Sequence, residues 1–212
     1  MSVYGDQDEL DEAIDDSTSA ARLHELAVSD DDEVRAAVAG NQAASPETLQ
    51  LLAQDDWNEV RWYVAQNPST SASVLAALAR DSDSLVRQAL PRNPEVSIGI
   101  LSLLCEDASS DVRAAATANP KTPIRCVESF LNDSDGNVRA ALAGRTDVSV
   151  ATLVALASDP WWRTRVAVAS NVRTPANVLE LLATDSSRAV KEAVNANSNL
   201  STEARIQEPD SN

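Results

Sequence analysis

Seven basic residues, Arg35, Arg61, Arg87, Arg113, Arg139, Arg165 and Lys191, stand 26 positions apart along the chain. A strict period of this length means stacked supersecondary units, each sheltering its neighbours, rather than one closed globule. The unit is plainest from Val112 to Asp133, VRAAATANPKTPIRCVESFLND. Copies read V-R-x-A-V-A-x-N, a short polar turn, then L-x-x-L-A-x-D.

Both halves have helical spacing. Val34, Ala37 and Val38, like Val60, Tyr63 and Val64, fall at i, i+3 and i+4 on one face. Leu49, Leu52 and Ala53, like Leu179, Leu182 and Ala183, do the same in the second half. Each unit is thus two short helices with one apolar stripe apiece. Neither stripe can be covered within a unit, so neighbours must stack. With so few residues, the second helix is read as either α or a tight 3₁₀ turn. Asn41, Asn67, Asn93, Asn119, Asn171 and Asn197 close the first helix, where Asn tolerates a left-handed backbone. Pro68, Pro94 and Pro120 follow and stop it. Ser45-Pro46, Thr122-Pro123 and Thr174-Pro175 read as an N-cap followed by the first helical position.

A second charged column accompanies the first. Asp55, Asp81, Asp107, Asp133, Asp159 and Asp185 each precede a repeat Arg or Lys by six positions. In one reading this is an internal ladder: the Asp caps the next helix and pairs with an Arg of its own or the adjacent unit. In the other, Arg35, Arg61, Arg87, Arg113, Arg139 and Arg165 form a row facing a ligand. The acid recurs as regularly as the base, which favours the ladder.

The pattern VRxxVAxNPxTPxxxLxxLAxD, from about Leu23 to Leu200, resembles the leucine-rich repeat variant, a bacterial relation of the armadillo and HEAT solenoids. The resemblance implies an all-α fold: a right-handed α-solenoid of two-helix repeats in which α and 3₁₀ helices alternate. It implies no single activity. One relative carries an iron–sulfur cluster on a cysteine-rich amino-terminal segment. These 212 residues contain no such segment, so no cofactor is expected. Departures are local: Arg145 takes the Asn place, Thr164 the Val place, and Pro91 falls late in a first helix. Irregular units are expected near 91 and 145. The expected organisation is an acidic amino-terminal cap over 1–22, one solenoid over 23–200, and a cap remnant with a frayed tail over 201–212.

Formal net charge is −16, unevenly spread. Residues 1–33 hold twelve acids against Arg22 alone. Such a balance argues against generic nucleic-acid binding, which needs a basic footprint, and suits either solubility or a basic partner. Asp30-Asp31-Asp32-Glu33 favours a helix N-terminus through the helix dipole; a calcium loop there would lack alternating ligands and a central Gly. Cys105 and Cys126 fall in apolar columns and read as small buried hydrophobes rather than a disulfide or metal site. No apolar run approaches a membrane span, and the leading residues lack signal-peptide character, so a cytoplasmic location is the default expectation.

Catalytic constellations are missing from the pattern. His24 is the sole histidine and reads as an exposed helix residue between Leu23 and Glu25; His pairs and multi-His metal sites are excluded, and the five glycines form no phosphate loop. The informative positions are where the repeat breaks its own rule. Aromatics are 3% of the chain, yet Trp57, Trp62, Tyr63, Trp161 and Trp162 cluster at two places. Trp62 occupies a column that is Ala in other units, and with Gln66, Gln88 and Arg92 it forms a variable patch by i, i+4 and 26-residue spacing. Exposed Trp and Arg anchor protein interfaces. The alternative is that the rings fill gaps between units; Tyr63, in a core column, is read so. The expected role is a non-enzymatic scaffold binding a protein or peptide through Trp57, Trp62, Gln66, Gln88, Arg92, Trp161 and Trp162, with self-association as a further use of either Trp cluster. A nucleic-acid-binding solenoid is the alternative. It would need the repeat Arg residues, with Arg92, Arg145 and Arg173, to converge on an open groove. A third reading makes the acidic leading segment a nucleic-acid mimic toward a basic partner.

Overall fold

Period and apolar spacing produce alternating helices. The computed structural model describes residues 5–200. The expected tail over 201–212 and residues 1–4 of the leading segment lie outside them. Among the described residues there are fifteen α-helices and no strand. The first helices of successive units are α1 (Gly5–Ile14), α3 (Asp32–Gly40), α5 (Asn58–Gln66), α7 (Ser84–Ala89), α9 (Ser110–Ala118), α11 (Gly136–Ala143), α13 (Trp162–Ser170) and α15 (Arg188–Ala196). Between them run the second helices α2 (Ala20–Leu26), α4 (Pro46–Leu52), α6 (Ala72–Leu78), α8 (Ile98–Leu104), α10 (Ile124–Val127), α12 (Val150–Leu156) and α14 (Ala176–Leu182).

The fold is an all-α solenoid, and its contacts divide it into two compact units, up to Ala116 and from Thr117 on. In the first, α1 packs on α3, α3 on α5 and α5 on α7, with α4 held between α3 and α5. In the second, α11 packs on α13 and α13 on α15, with α12 and α14 filling the gaps between them. The repeated Leu pairs, such as Leu49 and Leu52, Leu75 and Leu78, or Leu153 and Leu156, are buried throughout, as are Val60 and Val64. Each fully buried Leu or Val contributes on the order of 1.5–3 kcal/mol. Stability therefore accumulates unit by unit.

The second helices are α rather than 3₁₀ in all but one repeat. Ser45, Ser71, Ser97 and Ser149 each accept the N–H three residues on, which secures the opening turn of a seven-residue helix. The exception is α10, only four residues long, which passes into a 3₁₀ turn at Glu128–Asn132. There the Leu pair has become Val127 and Phe130, and the capping position is Pro123, which offers no side-chain acceptor. As expected, Pro91 ends an α-helix early: α7 stops at Ala89 and a 3₁₀ turn, Leu90–Arg92, completes it.

Two local expectations are corrected. Thr122 and Thr174 do not cap the second helices; the capping residues are Pro123 and Pro175. The Thr174 hydroxyl points back and donates to the Val168 carbonyl at 2.6 Å, as Thr70 does to Val64. The Asn column is not left-handed either. Asn41 and Asn67 are extended, and no described non-Gly residue has positive φ. These side chains satisfy carbonyls of the preceding repeat instead. Cys105 is buried as expected, whereas Cys126 on α10 is half-buried.

Candidate interaction face

Which surfaces are open to a partner depends on which side chains the stack already uses. The repeat arginines are used. Arg61 Nε and Nη2 donate to both carboxylate oxygens of Asp81, 20 residues on, at 2.7 and 3.0 Å. Its Nη1 donates to the carbonyls of Asp55 and Asp56. The same fork joins Arg35 to Asp55, Arg87 to Asp107, Arg139 to Asp159 and Arg165 to Asp185. Arg113 donates to the Asp107 and Ala108 carbonyls, and Arg139 to the Asp133 carbonyl. The bidentate geometry suits guanidinium and carboxylate and ties the first helix of a repeat to the end of its second, while Nη1 reaches the closing carbonyl of the preceding repeat.

The ladder Asp does not cap the following helix. It turns its carboxylate to the N–H two residues on, as Asp55 does to Trp57 and Asp159 to Trp161. The capping position is that next residue: Asp31 for α3, Asp83 for α7 and Asp135 for α11. Burial pushes the Asp55, Asp81, Asp107 and Asp159 carboxyls up. The arginine hydrogen bonds and the N–H outweigh it and hold each below the ordinary carboxylate value. For Asp185 the Arg165 hydrogen bonds are the leading influence, with the same result.

The Asn column forms a second set of rungs. Asn67 Nδ2 donates to the carbonyls of Ala39 and Asn41, and its Oδ1 accepts from Ser69 N–H. Asn93, Asn171 and Asn197 repeat the pattern at the carbonyls 28 and 26 residues back. Arg145 keeps this rung with a different side chain. Its Nη1 reaches the Thr117 and Asn119 carbonyls, and its Nη2 the Thr122 carbonyl. Asp147 takes the remaining donors at 2.7 and 2.8 Å. Arg145 is thereby 6% exposed.

What remains variable is the outward face of the first helices. In the first unit Trp62 and Gln66 on α5 and Gln88 on α7 are half-buried, and Arg92 on the 3₁₀ turn is exposed. Since α5 packs on both α7 and that turn, the patch spans adjacent elements. Trp62 stands edge-on to Tyr63, with ring centroids 4.9 Å apart at 85°. Tyr63 is not sealed in the core. It is half-buried and walls an open groove of about 600 Å³ between α1 and α5. The floor is Ala36, Ala37 and Gly40 of α3. Leu10 and Ile14 of α1 and Trp57 complete the walls, and Ile14 is 61% exposed. Asp16, Glu33 and Glu59 bring exposed carboxylates to it. The floor stays low because residue 40 is glycine: a Cβ there would lie 3.2 Å from the Tyr63 ring.

The second unit's tryptophans are arranged differently. Trp161 lies on Gly136, where an added Cβ would fall 2.1 Å from the ring, so this indole fills space that only glycine leaves. Trp162 is 40% exposed, and the Arg163 guanidinium sits over both rings, 5.4 Å from Trp161 and 5.2 Å from Trp162. His24, exposed on α2, has its Nδ1 3.0 Å from the Thr48 hydroxyl. Among the described residues no group of three or more His, Cys, Asp or Glu is placed to hold a metal ion, and no helix is long and apolar enough to cross a membrane.

Sequence reasoning missed two parts of this face. It set Tyr63 aside as core, although its column is Ala in six other units, the same signal that singled out Trp62. It also gave α1 no wall to build, because the leading segment lacks the repeat pattern.

Stacked first helices, bridging second helices and polar rungs between repeats define an α-solenoid repeat protein. No family model and no curated protein matches the sequence. A solved structure does: a leucine-rich repeat variant described by its novel repetitive structural motif, 26% identical, with a TM-score of 0.65 over 90% of this chain and 77% of that one. The likeness to the leucine-rich repeat variant carried by the 26-residue pattern thus extends to the fold across nearly the whole chain.

Proposed function

We propose that the chain is a non-enzymatic scaffold that binds a protein or peptide on the outward face of its first helices. The observation that supports this is a division of labour among columns. Arg, Asp, Asn and Leu columns are the same in nearly every repeat and are taken up by the stack. The outward columns change from Ala36, Ala37 and Gly40 in one repeat to Trp62, Tyr63 and Gln66 in the next. Columns that carry no polar rung, yet include large half-buried rings, suit recognition of a partner.

The test is to cross-link the immobilised chain to partners in a lysate of its source, identify the captured protein, and measure its binding in purified form. The scaffold reading expects Trp62→Ala with Arg92→Ala to weaken that binding about tenfold or more. Unchanged binding removes this face. The nucleic-acid alternative has lost much of its footing. Five repeat arginines are forked onto aspartates, and Arg145 is buried on backbone carbonyls. Binding to duplex DNA that falls steeply with salt would restore it.

A further inference from the structure

The groove between α1 and α5 lies in an unusually negative setting. The unit up to Ala116 holds twenty-two acids and seven bases. Of those bases, Arg35, Arg61 and Arg87 are forked onto ladder aspartates, and Arg113 holds two carbonyls. Arg22 is paired with Glu12 and Glu25. Arg80 and Arg92 remain, and neither lines the groove. An apolar trough is therefore edged by Asp16, Glu33 and Glu59 with no basic residue in its lining.

We propose that this groove receives a segment of a partner protein in which an aliphatic or aromatic side chain is flanked by Lys or Arg. The proposal rests on the scaffold reading above and specifies the chemistry of what is bound. The apolar side chain lies on Ala37 and Gly40, against Ile14 and Tyr63, where its burial covers surface now open to water. The flanking cations meet Glu33 and Glu59 on one side and Asp16 on the other. These carboxylates are exposed, so they act chiefly on encounter rate and on the choice between basic and acidic sequences, while the trough retains the segment. An acidic segment would enter the same field with the wrong sign.

The experiment selects a displayed library of random dodecapeptides on the intact chain, then measures the best peptide, synthesised with a fluorophore, by anisotropy. Enriched sequences are expected to place Lys or Arg around Leu, Ile, Phe or Trp. Two variants locate the site. Ala37→Tyr fills the trough with a residue its column already accepts, at Tyr63, and should weaken binding about tenfold or more. Glu33→Gln with Glu59→Gln should weaken it about three- to tenfold and flatten its salt dependence. Unaltered thermal melts show that the variants remain folded. Acidic or uncharged winners, or basic winners whose binding both variants leave unchanged, overturn the groove. If those winners instead lose affinity on Trp62→Ala or Arg92→Ala, the scaffold reading stands without it. If the chain dimerises and Ala37→Tyr abolishes the dimer, the occupant is a second copy and the proposal is wrong. No enrichment at all also overturns it, and the scaffold reading then depends on its own captured-partner test.

Discussion

The two compact units are built from the same columns and differ in what they do with the surface left over. The first is strongly acidic and keeps the rungs regular: every repeat arginine from Arg35 to Arg87 forks onto its aspartate, and Asn41, Asn67 and Asn93 hold the turns. The second, from Thr117 on, carries eleven acids against ten bases and is patched. Arg145 replaces an Asn rung, α10 unwinds into a 3₁₀ turn, and Gly136 makes room for Trp161. Where the Asn rungs are unbroken, aromatic rings stand over an open groove. In the patched unit, one ring is spent on packing. Recurrent columns thus set the stack, while the remaining positions are free to be chemically distinct.

The largest effects should come from the rungs. Asn67→Ala strips hydrogen bonds from two buried carbonyls and should cost about 2–4 kcal/mol in urea denaturation, with hydrogen exchange localising the loss to the first unit. Exchanging the residues sharpens the contrast. Arg145→Asn restores the column and should cost about 1 kcal/mol or less, whereas Asn67→Arg should cost about 3 kcal/mol, because Ser69 stands where Arg145 has Asp147. Equal costs would mean that the rung does not depend on its partner.

Next in size is the ladder under acid. The Asp55, Asp81, Asp107, Asp159 and Asp185 carboxyls are each held below the ordinary value of 3.8 in the folded chain. Their contribution is therefore present above that pH and lost as the pH falls through the depressed folded values. Urea midpoints measured stepwise downward from pH 5 should fall in both units. A chain as stable at pH 2.5 as at pH 5 would contradict the ladder.

The smallest effect separates the units by one methyl group. Gly136→Ala drives a Cβ into the Trp161 ring and should cost about 1–2 kcal/mol, relieved in part by Trp161→Ala. Asp32→Ala, at the matching place in the first unit, should stay within about 0.5 kcal/mol because that residue is exposed.

Much of this architecture was legible in the residues, because a 26-residue period with i, i+3, i+4 stripes permits few packings. Pro91 announced its early helix end, and Ser45-Pro46 its helix start. The Asn role was not legible. Local rules offer Asn a left-handed cap, whereas Asn67 reaches carbonyls 26 and 28 residues away, a contact that exists only once repeats are stacked. Thr174 misled for the same reason, its hydroxyl being claimed by the helix behind it. The groove was half legible: Trp57 stood out in its repeat column, but the wall from Leu10 and Ile14 belongs to a segment without the pattern.

Arg35, Arg61, Arg87, Arg139 and Arg165 each grip the aspartate 20 residues ahead. A double-mutant cycle tests this most directly. Arg61→Ala and Asp81→Ala should show a coupling of about 1–3 kcal/mol, while Arg61→Ala and Asp55→Ala, whose side chains do not pair, should couple by less than about 0.5 kcal/mol. Strong coupling to Asp55 with none to Asp81 would show that the arginine serves the preceding repeat instead, and each repeat would lose the clamp that ties its first helix to the end of its second.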